Sequence, residues 1–185
     1  NEPIRFANVV GRGVGDGATP VTLADYINTQ FDPALSWDDV SWLRSIWNGA
    51  IVLKGVQTVD DAVIAADAGV DAIALSNHGG RQLDGAPAAF SLVAPVADAV
   101  GGGPEIICDG GVRRGSDIAK AVAAGATAAM AGRAYLYGLG AAGERGVDRV
   151  LEWLRADLAR TMTLLGAATV GDLDRSLLDL PNARQ

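Results

Sequence analysis

Short apolar runs alternate with helical segments over most of this chain, and this alternation limits its fold more than any other feature. Four apolar runs predict buried strands at 51–56, 71–76, 105–108 and 127–131. Segments with helical spacing predict helices at 59–68, 90–100, 115–124 and 134–165, the last one broken near 143–146. Apolar strands separated by helices are typical of a parallel sheet that helices cover. The sequence therefore predicts an α/β fold.

An internal repeat favours a barrel over an open sheet. The helical segment at 61–69 aligns with 117–125, an offset of 56 residues, and KGVQ at 54–57 aligns with GGVR at 110–113. Such an offset would hold two βα units of about 28 residues each, close to the roughly 31 per unit of a (β/α)₈ barrel. Four units predict half of a TIM barrel, with an open doubly wound sheet as the alternative.

The first part of the chain has a different character. Residues 1–35 show no clear period and predict a loop or lid region, whereas 36–185 form the predicted half-barrel. Ser36 is a suitable N-cap for a helix that begins at Trp37. The tryptophans at 37, 42, 47 and 153 and the single Cys108 are predicted to pack inside the protein. Because the chain opens at Asn1 without a methionine, we expect it to be a portion of a longer chain.

Composition excludes several other classes. One cysteine cannot close an internal disulfide, and one cysteine with one histidine cannot build a Cys/His zinc site, so no metal site is predicted. A net charge of −7 without a basic block argues against nucleic-acid binding. No apolar run reaches the roughly 18 residues of a membrane-spanning helix, and residues 1–6 do not open a signal peptide. We expect a cytoplasmic protein, with peripheral attachment to the inner membrane surface as the alternative.

Polar side chains follow the predicted strands, at the edge where parallel α/β proteins bind ligands. Lys54 lies in the first apolar run, either at a bend that lets it reach solvent or held against an anionic ligand. His78 and Arg81 share the glycine-rich loop after the second strand. A histidine can act as a base near neutral pH, and the arginine fork binds a carboxylate through two hydrogen bonds. The pair predicts chemistry at the carbon next to a carboxylate.

Two further glycine-rich turns predict a phosphate site. Residues 109–113 (DGGVR) follow the third strand, and Gly132-Arg133 follows the fourth. Glycine loops at helix starts expose N–H groups that bind phosphate, and Arg113 and Arg133 add positive charge. Ordinary turns with surface arginines are the alternative.

Three motifs together resemble one family. SNHGGRQLDG at 76–85, DGGVRRGSD at 109–117 and GRAYLYG at 132–138 resemble the FMN-dependent α-hydroxy acid dehydrogenase/oxidase family, over about residues 36–166. The lead-in NTQFDPALSWDD at 28–39 is most similar to bacterial L-lactate dehydrogenases. The resemblance implies the C-terminal half of a TIM barrel, with FMN as the cofactor.

The resemblance also implies roles for individual residues. His78 matches the family's active-site base, which contacts the substrate, and Arg81 matches the arginine that binds the substrate carboxylate. Lys54 matches the lysine beside the flavin ring, and Ser76 matches a flavin contact. The segments that hold the ribityl chain and phosphate are matched by Asp109, Gly110, Gly111, Val112, Arg113, Gly132 and Arg133.

The implied reaction is oxidation of a small L-2-hydroxy acid, L-lactate foremost, to the 2-oxo acid. FMN takes two electrons and is reoxidised by a quinone, a cytochrome or oxygen. The implied partners are the missing N-terminal half of the barrel and further copies of the chain, a tetramer in the intact enzyme. Glycolate, mandelate and a peptide-modifying branch of the family are alternatives.

Two hypotheses from other classes stay open. One is a non-catalytic half-barrel fragment that binds a phosphate or a flavin. The other is an FMN barrel of another class, such as a nitronate oxidase or IMP dehydrogenase, which the pairing of His78 with Arg81 disfavours.

Overall fold

The computed structural model describes residues 30–179. The chain divides into two compact units, Asn1–Leu43 and Arg44–Gln185. Most of the predicted lid region at 1–35 lies outside the described residues, because the description begins at residue 30. That prediction therefore stays a prediction.

The first described helix begins where its capping residue predicts. Helix α1 spans Trp37–Ile46. The hydroxyl of Ser36 accepts a hydrogen bond from the Asp38 N–H at 3.3 Å, and Asp39 Oδ2 accepts one from the Ser36 N–H at 2.7 Å. These bonds satisfy N–H groups that the first turn of a helix leaves without partners.

The unit Arg44–Gln185 alternates strand and helix as predicted. Its strands are β1 Val52–Val56, β2 Ala72–Ser76, β3 Glu105–Asp109 and β4 Ala128–Met130. Its helices are α2 Val59–Asp67, α3 Ala89–Val100, α4 Gly115–Ala124, α5 Arg133–Ala142 and α6 Glu144–Leu165. Short 3₁₀ turns lie at His78–Gly80, Val170–Asp172 and Arg175–Leu177. Within residues 30–179, no helix is both long enough and apolar enough to cross a membrane.

The four strands form one parallel sheet in the order β1-β2-β3-β4. Each strand pairs in parallel with the next one in sequence. Each connection therefore runs from the carboxyl end of one strand to the amino end of the next, and every connection carries a helix. A doubly wound sheet would reverse its strand order at a switch point, and the described strands contain no reversal. The order is that of consecutive units of a (β/α)₈ barrel, which confirms the predicted fold class.

The four units differ in length, unlike the equal units that the repeat predicted. The first residues of successive strands lie 20, 33 and 23 positions apart, so a uniform unit of 28 residues is wrong. The two-unit offset holds, since α2 and α4 begin 56 positions apart. The second unit is long because residues 77–88 connect β2 to α3, and this connection carries His78 and Arg81.

The core lies between the sheet and the helices that cover it. Every residue of β2 is buried, and Ile73 and Leu75 pack in the same core as Val93 and Val96 of α3. Cys108 on β3 is 2% exposed, and its predicted place in the core is confirmed. Burial, together with the charge of the adjacent Asp109, raises the pKa of the Cys108 thiol to about 11.

The tryptophans do not follow the packing prediction. Trp42, Trp47 and Trp153 are 62%, 54% and 47% exposed, so the prediction is wrong for these three. Helical spacing identifies residues that share a face, but it does not say whether another element covers that face.

Glycines bring α6 into backbone contact with two other helices. The break between α5 and α6 falls at Gly143, within the predicted 143–146. A Cβ on Gly146 would lie 1.8 Å from the carbonyl oxygen of Gly138, and a Cβ on Gly115 would lie 1.9 Å from the Leu158 nitrogen. Helix α6 can therefore pack this closely against α4 and α5 only because glycines, which have no side chain, lie at these contacts.

An arginine joins the end of α1 to the start of the sheet. The Arg44 guanidinium donates to the carbonyl oxygens of Gly49 at 3.0 Å and Gly69 at 2.8 Å, and it pairs with the Asp71 carboxylate. Asp71 Oδ2 also accepts the Ile51 N–H at 2.7 Å. The hydrogen bond from Arg44, with that from Ile51, holds the pKa of Asp71 below its usual value.

We expect Asp71→Asn to lower the free energy of unfolding at neutral pH and to lose this effect in acid. Because the folded-state pKa lies below the unfolded-state pKa, the carboxylate stabilises the fold above the unfolded value, and this stabilisation disappears as the pH falls through the folded value. Urea unfolding of both proteins at neutral pH and near pH 3 measures the change, with the exposed Asp148→Asn as control. An equal difference at both pH values would contradict the prediction.

Candidate active site

Three neighbouring strands place polar side chains in contact at the carboxyl edge of the sheet. Lys54 comes from β1, Ser76 from β2 and Asp109 from β3, and the last two are register partners. Lys54 Nζ lies 2.7 Å from Asp109 Oδ2 and donates to Ser76 Oγ at 3.2 Å. The Ser76 hydroxyl donates to the same Asp109 oxygen at 2.7 Å. One hydrogen-bonded network therefore joins three of the predicted site residues.

The Asp109 carboxylate is ionised in this network. Burial raises its pKa, but the hydrogen bonds from Lys54 and Ser76, with the charges of Lys54 and His78, outweigh burial and lower the pKa below its usual value. At neutral pH the site therefore contains an ammonium and a carboxylate in direct contact.

A bulge in β1 positions Lys54. The pairing register with β2 shifts between Lys54 and Val56, and the intervening Gly55 has φ = +100°. The Lys54 side chain is 37% exposed, so the strand does bend to release it, as one interpretation of the sequence held. The other interpretation, that Lys54 is held against an anionic ligand, stays a prediction; in this structure the anion beside Lys54 is the carboxylate of Asp109. A Cβ on Gly55 would lie 3.3 Å from His78 Cε1, so the bulge also leaves room for the histidine ring.

His78 lies in a tight left-handed turn. Its φ is +54°, and Gly79 and Gly80 follow at +69° and +72°. The Asn77 side chain closes the turn by accepting the Gly80 N–H at 3.2 Å, while the His78 N–H donates to Ser76 Oγ at 3.0 Å. A non-glycine residue with positive φ is uncommon, and histidine is among the residues that tolerate it. The backbone on both sides of His78 is therefore held by the side chains of the two residues that precede it.

These residues line one cavity of about 630 Å³, a size that suits a small ligand or cofactor. Its wall includes Lys54, His78 and Arg81. Within residues 30–179, the Arg81 guanidinium has no hydrogen bond or ion pair, so it is available to a ligand. Every predicted site residue lines this cavity except Ser76, which is 1% exposed behind Lys54 and Asp109. The other predicted residues on the wall are Asp109, Gly110, Gly111, Val112, Arg113, Gly132 and Arg133.

The two glycine-rich turns differ in what they offer to an anion. At the start of α4, Asp117 accepts the N–H groups of Arg113 and Arg114, each at 2.9 Å, and Asp157 accepts that of Ser116 at 3.3 Å. The start of α5 at Gly132 has no side-chain cap and opens onto the cavity. The start of α5 is therefore the more open of the two to a phosphate, because carboxylates already accept three N–H groups at the start of α4.

Arg133 connects the start of α5 to the histidine turn. Its Nη2 donates to the carbonyl oxygen of Gly79 at 3.1 Å. A Cβ on Gly79 would lie 3.0 Å from the same nitrogen, so the contact is close and needs a glycine there. Arg133, which is predicted to bind phosphate, is thus hydrogen-bonded to the residue that follows the predicted base.

Some of the cavity wall was missed by sequence reasoning. Gly79, Met130, Ala134, Leu136 and Tyr137 also line it. Met130 ends β4, and Leu136 and Tyr137 lie one helical turn after Arg133. These residues lie at the end of a strand or on the first turns of a helix, and that position was the available signal. In the sequence alone, apolar residues at such positions cannot be distinguished from core residues.

The fold and the site indicate a class: an α/β barrel protein whose strand ends surround a cavity that the uncapped start of a helix also lines. The family model described as FMN-dependent dehydrogenase matches residues 5–180. The chain belongs to this family, and the predicted cofactor FMN is the one that the family uses.

Individual relatives agree on the family and differ in their substrates. The chain is 49% identical to a pre-mycofactocin synthase of Mycobacterium tuberculosis over 88% of its length and 41% of the relative's. It is 43% identical to an L-lactate dehydrogenase of Haemophilus influenzae over 97% of its length and 47% of the relative's. A solved structure titled monotopic membrane protein (S)-mandelate dehydrogenase is 40% identical, with a TM-score of 0.81, over 88% of this chain and 43% of that one. The chain thus spans less than half the length of these relatives.

The residues of the site fit FMN. A phosphate carries negative charge, and the uncapped α5 start with Arg113 and Arg133 supplies N–H donors and positive charge. Gly111 has φ = +75°, and a Cβ built there would meet no atom within 4 Å, so the turn leaves space for a ligand to approach the backbone. Lys54 supplies a cation on the wall of the same cavity, and the resemblance implies that this lysine lies beside the flavin ring.

Proposed function

We propose that this chain carries the cofactor and base half of an FMN-dependent enzyme that oxidises a small L-2-hydroxy acid, L-lactate foremost, to the 2-oxo acid. The observation that carries the proposal is that His78, Arg81 and Lys54 line the same cavity as the start of α5. A base, a carboxylate-binding group, a cation and an anion-binding helix start are the functions that this reaction needs.

Each residue then has a defined task. The Arg81 guanidinium binds the substrate carboxylate through paired hydrogen bonds, which orients the neighbouring carbon. A ring nitrogen of His78 accepts the proton of the substrate 2-hydroxyl group as the carbonyl forms. FMN, when bound, accepts the two electrons that the substrate loses. With the 2-hydroxyl proton on His78, the α-hydrogen leaves with both electrons as hydride; if it left as a proton instead, His78 would accept that proton and the 2-hydroxyl proton would pass to the reduced flavin or to solvent.

A second substrate class has support from a specific observation. The chain is 49% identical to proteins named pre-mycofactocin synthase, which is close to its 48% identity with a protein named putative L-lactate dehydrogenase and above its 43% with the Haemophilus L-lactate dehydrogenase. Against this, Arg81 is present and without an ion-pair partner in the described part of the chain, which favours a substrate with a small free carboxylate. Glycolate and mandelate share that carboxylate and stay as alternatives.

The surroundings of the site support the proposal of a further barrel half. β1 and β4 are the edges of the described sheet, and Val52 and Met130 on them are 51% and 42% exposed. Apolar side chains and unpaired edges need a cover in a stable protein. We infer that the N-terminal half of the barrel supplies it. The tetramer and the acceptor, a quinone, a cytochrome or oxygen, stay predictions. So does the location, either the cytoplasm or the inner membrane surface.

The test uses the full-length purified protein. We expect a visible flavin spectrum, and its anaerobic bleaching by L-lactate faster than by glycolate, L-mandelate or the mycofactocin precursor. Bleaching only by the last compound would move the proposal to the second substrate class. A flavin that none of the four reduces would favour the non-catalytic, flavin-binding alternative.

A further inference from the structure

The network of Lys54, Ser76 and Asp109 holds one ammonium by two oxygen atoms. Lys54 Nζ contacts Ser76 Oγ at 3.2 Å and Asp109 Oδ2 at 2.7 Å. Because the same Asp109 oxygen also accepts the Ser76 hydroxyl at 2.7 Å, the lysine, serine and aspartate fix one another. A lysine on a flexible stem would otherwise sample several rotamers at a strand end.

The network continues to the backbone of the base. Ser76 Oγ accepts the His78 N–H at 3.0 Å, in addition to accepting from Lys54 and donating to Asp109. Ser76 is the one polar residue of 30–179 that is fully buried. Its hydroxyl has thus used its donor and both acceptor positions, which leaves no capacity for a further strong hydrogen bond. Ser76 is also off the cavity wall, so its role in this structure is to support its neighbours.

Charge gives Asp109 a second effect besides position. The ammonium of Lys54 and the carboxylate of Asp109 are in contact, so together they present a net charge near zero to a ligand in the cavity. Arg113 and Arg133 lie on the same wall without a carboxylate partner in the described residues. The positive electrostatic potential of the site is therefore reduced near Lys54, whereas it is retained near Arg113 and Arg133.

We propose that Asp109 is a positioning residue which holds Lys54 and offsets its charge, and that it thereby limits how strongly the site favours negative charge on the flavin. This inference rests on the proposed function, because it assumes a flavin in the cavity. It gives Asp109 a role different from the ribityl and phosphate contact that the resemblance implied.

Asp109→Asn separates the charge from the geometry. The amide oxygen of asparagine can accept the bonds from Lys54 and Ser76, but the negative charge is gone. We expect the flavin of the full-length holoenzyme variant to bind sulfite, an anion that adds reversibly to oxidised flavins, about tenfold more tightly, and its midpoint potential to rise. A tenfold change is the size of an unpaired charge acting over roughly 10 Å at an effective dielectric constant near 20.

A double-mutant cycle supplies the control. If Asp109 also acts by holding Lys54, Asp109→Asn should raise sulfite affinity by a smaller factor in a Lys54→Met background, where only the direct effect of the lost charge on the flavin is left. An unchanged sulfite affinity in the single variant, or an equal or larger change in the Lys54→Met background, would overturn the inference. Loss of flavin from the single variant would also overturn it and would leave Asp109 as a direct binding residue.

The outcome also separates this inference from the proposed function. A wild-type protein that binds flavin and is reduced by L-lactate supports the function, whatever the Asp109 variant does. A wild-type protein without flavin refutes both. Sulfite titration followed by the visible flavin spectrum provides the affinity without any measurement of turnover.

Discussion

Replacing His78 with asparagine should lower kcat for L-2-hydroxy acid oxidation by about 10²–10⁴-fold, the range that a general base contributes. The imidazole lines the cavity, and its Cε1 would lie 3.3 Å from a Cβ on Gly55, so it is held close to the β1 bulge. An amide cannot accept the substrate proton, whereas Arg81 would still bind the carboxylate. The loss should therefore fall on kcat with KM little changed.

Asparagine is the suitable replacement because of the backbone. His78 has φ = +54°, a region that asparagine tolerates and alanine does not. His78→Ala would lose this tolerance, at a cost of up to about 1 kcal/mol, and would confuse loss of the base with a change in the turn. Equal flavin content and equal Tm in the wild type and His78→Asn serve as controls. Turnover within about tenfold of the wild type would remove His78 from the role of base.

Gly146→Ala should destabilise the protein by about 3 kcal/mol or more, at the upper end of what added volume costs in a packed interior. The new Cβ would lie 1.8 Å from the carbonyl oxygen of Gly138. Both atoms are fixed by the backbone of their helices, so no side-chain rotation can relieve the clash. The helices α5 and α6 must separate. Because α5 begins at Arg133 in the site, the shift should also weaken FMN binding.

Gly140→Ala is the matched control on α5. A Cβ at Gly140 would meet no atom within 4 Å, so this change should leave Tm unchanged or raise it, as alanine favours a helix interior by roughly 0.5–1 kcal/mol. Thermal unfolding and flavin titration of the full-length variants measure both effects. Equal Tm values for Gly146→Ala and Gly140→Ala would show that the helix contact is looser than the structure describes.

Local signals in the sequence predict most of this fold. The strands and the later helices begin and end within one residue of the predicted positions, because apolar runs mark the strands and glycines mark many of the helix ends. The cavity wall follows from the same logic, since ligand sites in parallel α/β folds lie at strand ends. His78 and Arg81 can be identified as candidate site residues from their position in the loop after β2 alone.

Contacts between distant residues could not be predicted. The pairing of Lys54 with Asp109 depends on strand register and on the bulge at Gly55, and neither leaves a local trace. The contact of Gly138 with Gly146 depends on how two helices cross. Likewise, the choice of α5 over α4 as the free helix start depends on Asp157, which comes from α6.

The salt bridge between the first and third strands also bears on the construction of hybrid barrels. βα units are often regarded as exchangeable modules, yet here the counter-ion of Lys54 belongs to a strand two positions further along the sheet. A crossover placed between β1 and β3 retains the ion pair only when the parent that supplies β1 carries the lysine and the parent that supplies β3 carries the aspartate. For this chain, a transplanted segment keeps this ion pair only when it runs from β1 through β3.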